Sequence, residues 1–328
     1  MAAGTADPLE RLASALRAGA DAPHRRMLII VNPYATTVSD RLKNLVVYAL
    51  RGSYRVHAVE TEAREHATQL CREAARAGYD VVVAFGGDGT VNEAANGLAG
   101  SDTPLTCLPG GRANVYCRML GIPVDLVDAT EQLLGLADDW RPRRVDIGYV
   151  NERKFLFSAG AGLDASVVEQ VDAHPGMKHR LGEWYYAATA VRTFGRHYLI
   201  KPPRLEAELA GERMSGVTVI VQNAMTYTFF GDRPVQLAEG ASLDSGDLAG
   251  VVLTRASPLD PPTLIWRALS KRARVVRHRQ VLPFAELKRV RVRSADERPL
   301  PLQVDGDYIG EVHQAEFGVL PHGLLVVS

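Results

Sequence analysis

Asp88 stands among glycines in Gly86-Gly87-Asp88-Gly89-Thr90, directly after the apolar run Val81-Val82-Val83-Ala84-Phe85. A carboxylate in that setting has two chemical uses. It can share a Mg²⁺ with a phosphate, or it can accept the proton of a hydroxyl. The glycines argue for phosphate, because they let the backbone turn sharply and approach a ligand without Cβ clashes. Thr90-Val91-Asn92-Glu93-Ala94-Ala95 then reads as the first turns of a helix. Strand, glycine loop and helix N-terminus together aim N–H groups and the positive end of a dipole at one spot. No Gly-Lys-Ser/Thr follows, so this is not a Walker loop, and the spacing is not the dinucleotide GxGxxG. A plain tight turn is the alternative, but it needs one or two glycines rather than three around an acid. Both uses of Asp88 belong to a kinase.

Other turns carry groups of the same kind. Met27-Leu28-Ile29-Ile30-Val31 reads as a buried strand running into Asn32-Pro33-Tyr34-Ala35-Thr36-Thr37. That stretch is either a plain Asn-Pro turn or a ligand loop to which Thr36 or Thr37 can supply a hydroxyl. Leu105-Thr106-Cys107-Leu108 runs into Pro109-Gly110-Gly111-Arg112-Ala113-Asn114, which opens a helix ended by Gly121 and Pro123. Arg112 can clamp a phosphate bidentately, crowd a nucleotide, or face solvent. Asp164, after Gly160-Ala161-Gly162-Leu163, either caps a helix or serves a ligand. Asp244 and Asp247 offer oxygens to Mg²⁺ or form a metal-free Asx turn. Val304-Asp305-Gly306-Asp307 reads as a type I′ hairpin holding two acids. The stretch Trp266 to Arg279 is strongly basic, with Leu269, Ala273 and Val276 at helical spacing. It is either a solvated helix packed by that stripe or a landing patch for anionic lipid, at roughly 1 kcal/mol per basic side chain.

Gly86-Gly87-Asp88-Gly89-Thr90-Val91-Asn92-Glu93 resembles the GGDGT signature of the diacylglycerol kinase catalytic-domain family, which includes bacterial lipid kinases and sphingosine kinases. The resemblance runs in order from about Met27 to the C-terminus and points to the actinobacterial branch. NAD kinases and phosphofructokinases share the GGDG idea more distantly. The resemblance implies ATP and Mg²⁺ as cofactors. It implies nucleotide contacts at Asn32, Pro33, Thr36, Thr61, Gly86, Gly87, Asp88, Gly89, Thr90, Asn92, Glu93, Gly111, Arg112 and Asn114. It further implies Mg²⁺ at Asp88, a structural Mg²⁺ at the Asp244–Asp247 turn, and a lipid head group at Asp164. Asp307 is the implied general base, with Asp305 beside it, in a cleft between two domains. The chain departs from the pattern in four places: no glycine follows Asn32-Pro33, Arg112 stands where Thr or Ser is usual, Val115 replaces a frequent Asp, and Ser245 replaces a second Asp. The expected reaction is γ-phosphoryl transfer from ATP to a lipid hydroxyl, foremost diacylglycerol to phosphatidic acid. A sphingoid base, a polyprenol or NAD as acceptor stays open, and so does a non-catalytic nucleotide- or lipid-binding regulator.

These turns need a frame. Asp40 to Leu50 and His66 to Arg76 read as helices, the second closed by Gly78, with a strand Arg55 to Val59 between them leading to Thr61. Strands alternate with helices to about Asp139, which predicts a doubly wound parallel α/β sheet. From Val145 strands follow strands, at Val145–Val150, Lys154–Phe157, Leu205–Leu209, Gly216–Gln222, Leu248–Thr254 and Val290–Val292. That predicts a mainly antiparallel second domain, which the resemblance makes a β-sandwich. The expected organisation is a helical extension over 1–25, an α/β nucleotide-binding domain over 26–144 to which about 310–328 returns, and a β-sandwich lipid-substrate domain over 145–309. Lys+Arg and Asp+Glu cancel at 38 each, which argues against a nucleic-acid partner. Three cysteines without a CxxC pairing fit a reducing cytoplasm and no zinc. No apolar run approaches the ~18–20 residues of a membrane span. A cytoplasmic protein acting peripherally at a membrane surface is expected, and a homodimer is compatible with the chain.

Overall fold

The computed structural model describes residues 25–34, 39–162, 165, 204–255, 260–270 and 273–328. Residues 1–24 of the predicted N-terminal helix, Thr36 and Asp164 therefore lie outside the described residues. The chain divides after Val145 into two units, and Gly323–Ser328 belong to the first.

In the first unit strands and helices alternate: β1 (Arg26–Val31), α1 (Asp40–Leu50), β2 (Arg55–Glu60), α2 (His66–Arg76), β3 (Val81–Gly86), α3 (Asp88–Leu98), β4 (Leu105–Pro109), α4 (Val115–Met119) and α5 (Leu126–Gly135). The four strands are parallel in the order β2-β1-β3-β4. Every residue of β3 is buried, which is why it reads as an unbroken apolar run rather than an alternating one. Each such buried Val or Phe contributes roughly 1.5–3 kcal/mol. Ser39 starts α1 by accepting from the Leu42 N–H, Asp125 starts α5 by accepting from Val127 and Asp128, and Gly78 follows α2 at φ 67°. The strand order reverses between β1 and β3. Their carboxyl ends, Asn32 and the Gly86–Thr90 turn, therefore flank the switch point where such sheets take ligands.

The second unit is built from β5 (Arg143–Val150), β6 (Arg153–Phe155), β7 (Ser158–Gly162), β8 (Leu205–Leu209), β9 (Glu212–Gly216), β10 (Thr218–Gln222), β11 (Thr228–Phe230), β12 (Arg233–Val235), β13 (Leu248–Leu253), α6 (Asp260–Leu269), β14 (Val281–Leu287), β15 (Arg289–Ser294), β16 (Leu300–Val304), β17 (Asp307–Val312) and β18 (Gln314–Val326). One antiparallel sheet runs β14-β13-β10-β7-β16-β17, and the other carries β18-β15-β8-β9. Their inner faces share a core of Ala159, Val219, Val221, Leu302, Val290, Val292 and Phe317, a β-sandwich. The last residues of β18, 323–326, belong to the first unit, where Val326 pairs with Leu105 of β4.

The helical spacing of Leu269, Ala273 and Val276, which suggested one helix across the basic stretch, is corrected. α6 starts at Asp260 and ends at Leu269, and Val275–Arg277 form a separate 3₁₀ turn in which Val275 is buried. His278 ties these pieces together: its Nε2 lies 3.0 Å from Thr263 Oγ1, and its Nδ1 accepts from the Gln280 N–H at 3.3 Å. Burial holds the imidazole below its ordinary range, with the nearby Asp260 carboxylate opposing. The folded state therefore binds its proton less readily than the unfolded state. Stability from the neutral ring is complete above the unfolded value of about 6.5 and declines as pH falls below it. Urea melts of the wild type are expected to weaken from pH 7.5 to 5.5, and His278→Gln is expected to flatten that segment.

Candidate active site

Three turns leave the carboxyl ends of β1, β3 and β4 and are knitted to one another. The Asn32 N–H donates to Phe85 O, the Thr61 N–H to Val31 O and the Gly110 N–H to Gly86 O, each at 2.9 Å. Asn32 Nδ2 donates to Thr90 Oγ1 at 3.1 Å across the switch point, and its Oδ1 accepts from the Tyr34 N–H at 2.9 Å. Lys43, buried on α1, donates to Pro33 O at 3.0 Å and fixes this turn from below.

Close approach is what requires the glycines. A Cβ on Gly86 would stand 2.5 Å from Thr90 Oγ1, and a Cβ on Gly111 would stand 2.7 Å from Gly87 Cα. The two glycine turns thus touch backbone to backbone. α3 begins earlier than expected, at Asp88, so Asp88, Gly89 and Thr90 form its first turn and Gly87 its cap. Asn114, at φ 44°, closes the second turn by accepting from the Gly111 N–H (2.9 Å) and donating to Gly111 O (2.8 Å). Gly111→Ala is expected to cost about 1–3 kcal/mol of stability by overpacking and to weaken ATP-analogue binding more than tenfold in calorimetry. Arg112→Ala, at the exposed neighbouring position, is expected to leave the melting curve unchanged.

Asp88 is the electrostatic centre of this cluster. Its Oδ1 accepts from the Tyr116 N–H at 3.1 Å in the first turn of α4. Burial pushes its carboxyl above the usual range, while the N–H groups of Tyr116 and Val115 and the Arg118 charge pull the other way. The same carboxylate that can serve a ligand therefore also joins the two glycine turns. Asn92 and Glu93, expected at the nucleotide, each make contacts within the protein. Asn92 is buried and its Oδ1 accepts from Asn96 at 3.1 Å, while Glu93 Oε2 accepts from the Ala67 N–H at 3.3 Å at the start of α2. Asn92 follows Asp88 by four residues and so shares its face of α3, while Glu93 is turned toward the start of α2.

In the second unit, Asp305 (φ 48°) and Gly306 (φ 83°) form the expected type I′ hairpin, with Val304 opposite Asp307. The reading of Asp305 as a catalytic acid is corrected. Its buried carboxylate accepts the backbone N–H groups of Leu156 (2.7 Å), Phe157 (2.9 Å) and Ser158 (3.0 Å), so it is a structural clamp. Asp307 opens β17 and is half-buried.

The structural Mg²⁺ expected at Asp244 and Asp247 does not fit the residues present. Lys288 Nζ donates to Gly246 O at 2.6 Å and pairs with Asp247 at 2.8 Å, so an ammonium already meets two of the oxygens a cation would take. The turn is held from behind by buried Asp146, which accepts from the N–H groups of Gly246 and His322. Among the described residues no three His, Cys, Asp or Glu side chains converge as a metal site.

Comparison with known proteins agrees with this architecture. Residues 26–150 match the diacylglycerol kinase catalytic domain, and residues 158–328 match the YegS C-terminal NAD kinase beta sandwich-like domain. The chain belongs to the diacylglycerol kinase catalytic-domain family. It is 28% identical over 294 residues to a diacylglycerol kinase of Bacillus subtilis, covering 87% of this chain and 91% of that protein. It is 26% identical over 273 residues to one from Staphylococcus haemolyticus, covering 83% and 78%. A crystal structure of a diacylglycerol kinase from Bacillus anthracis shares the fold at TM-score 0.71 and 21% identity, covering 94% of this chain and 98% of that one. This lipid kinase, a phosphotransferase by family, thus carries its glycine turns on the α/β domain and its Asp-Gly-Asp hairpin on the sandwich.

Sequence reasoning missed Lys43 and Asp146. Lys43 had a signal, an Asp40–Lys43 pair at i,i+3 on α1. Asp146 had none, because its partners lie 100 and 176 residues away.

Proposed function

We propose that this lipid kinase uses ATP and Mg²⁺ to phosphorylate the hydroxyl of diacylglycerol, giving phosphatidic acid. The observation that carries the reading is the backbone contact of Gly87 with Gly111 between the β3 and β4 turns, next to the β1/β3 switch point. There the Asp88 carboxylate is bonded from one turn to the helix that follows the other. The first turn of α3 beside this contact offers helix N-terminal main-chain N–H groups, which suit phosphate oxygens. The Gly110 and Gly111 N–H groups are donated to Gly86 O and Asn114 Oδ1. Phosphoryl transfer asks the protein chiefly for positioning and charge. The turns at 86–90 and 110–114 hold the phosphates, and Asn32 and Thr61 line the neighbouring strand ends. One carboxylate is enough for a Mg²⁺ that also takes phosphate oxygens and waters, so Asp88 suffices without a second acid. Bound there, Mg²⁺ supplies neutralisation of phosphate charge. Asp307 accepts the proton of the acceptor hydroxyl. Asp305 cannot, since its oxygens are engaged by three N–H groups.

Diacylglycerol is chosen as acceptor because relatives along most of the chain bear that name. No helix among the described residues is long and apolar enough to cross a membrane. Contact with the bilayer surface is assigned to α6 and the turn after it. There Trp266 is 62% exposed, and Arg274, Arg277 and Arg279 are exposed as well. The test is transfer of labelled γ-phosphate from ATP with Mg²⁺ to diacylglycerol, sphingoid base and polyprenol in mixed micelles, with NAD as a water-soluble acceptor. Labelled phosphatidic acid is expected. Label on NAD alone, or nucleotide binding without any transfer, would overturn the reading.

A further inference from the structure

Two thiols flank the Asp88 turn and have no part in the chemistry described so far. Cys107 in β4 and Cys117 on α4 are both buried, with their sulfurs 3.0 Å apart. The third thiol, Cys71, is buried on α2 against Gly97. Cys107 lies two residues before the turn that begins at Pro109. Cys117 follows Tyr116, whose N–H holds the Asp88 carboxylate.

The geometry points to Cys107 and Cys117 as an oxidation-sensitive modification site that closes to a disulfide and disables the Asp88 turn. A disulfide sets its sulfurs about 2.05 Å apart, so closure draws the two sulfurs roughly 1 Å nearer and ties β4 covalently to α4 beside the residue that holds Asp88. Displacements of about 1 Å in a catalytic constellation cost on the order of 100-fold in rate. The co-reactant is a hydroperoxide. One cysteine, as thiolate, attacks the peroxide oxygen, the O–O bond breaks, and a sulfenic acid and water form. The second thiol then attacks the sulfenic sulfur and expels a second water. Two thiols and one hydrogen peroxide thus yield one disulfide and two waters.

At rest the pair is protected. The hydrogen bond shared with Cys117, burial and the Asp88 charge all push the Cys107 thiol up, so thiolate is scarce. Reaction proceeds through opening of the five-residue α4, and it is slower than at a surface thiol. The functional half of the inference rests on the kinase reading above, whereas the covalent half does not.

The full chain is treated with graded hydrogen peroxide, alkylated and peptide-mapped by mass spectrometry, with kinase activity assayed in parallel. A cross-linked pair of peptides carrying Cys107 and Cys117, lighter by two hydrogens, is expected. Activity is expected to fall at least tenfold in step with it and to return with dithiothreitol. Cys117→Ala and Cys107→Ala, each a small apolar swap checked by circular dichroism, are expected to resist inactivation. Full alkylation of both cysteines after peroxide would overturn the pairing whatever acceptor the enzyme uses. A cross-link without loss of activity, or inactivation that persists in both alanine variants, would overturn the switch.

Discussion

Asp88→Asn is expected to lower kcat/KM by about 10³-fold with little change in thermal stability. The asparagine Oδ1 can still accept the Tyr116 N–H, which keeps α4 docked against the Asp88 turn. What the variant lacks is the charge that would hold Mg²⁺ against phosphate. Asp88→Ala removes both, and it strands a backbone N–H at a cost of about 1–3 kcal/mol. The pair of variants therefore separates the acid's two roles. Steady-state kinetics combined with denaturant melts make the test. If Asp88→Asn kept more than a tenth of wild-type activity, the carboxylate would be a structural bridge only, and phosphate charge would have to be met elsewhere.

The features that were legible from sequence are those whose causes are local. β3 announces itself because burial on both faces needs an unbroken apolar run. α1 and α2 were bounded correctly because Ser39, Asp40 and Gly78 lie at their ends. The 305–306 hairpin was readable because Asp-Gly suits two positive φ angles, whereas Ala210-Gly211 makes the same turn between β8 and β9 with φ 51° and 89° and gives no such cue. What was not legible depends on partners far along the chain. Asp305 looks like a reactive acid until Leu156–Ser158 are placed beneath it. Asp247 looks like a metal ligand until Lys288 arrives from β14's end. Glu93 sits inside the signature motif, yet one further step around α3 turns it toward α2. A motif fixes which residues are near the site, and the tertiary partners decide which of their atoms are still available.

The Asp-Gly-Asp hairpin gives the sharpest test of that distinction. Asp305→Ala leaves three buried backbone N–H groups without their acceptor, at about 1–3 kcal/mol each. A loss of roughly 3–5 kcal/mol is expected even with partial relaxation, a large share of a typical domain's stability of about 5–15 kcal/mol. Denaturant melts should show it, with any activity loss following the folded fraction. Asp307→Asn is expected to shift stability by only about 0.5 kcal/mol, because the strand pair with Val304 is made by backbone. Its kcat is nevertheless expected to fall by about 10²–10⁴-fold, the usual contribution of a general base. The two acids are two residues apart and chemically identical, so composition cannot explain opposite outcomes. Their placement can: the buried carboxylate accepts from Leu156, Phe157 and Ser158, and the half-buried one at the start of β17 is assigned to the acceptor. An Asp307→Asn enzyme with full turnover would remove the general base from this hairpin and leave the hydroxyl's proton to water or to the phosphate itself.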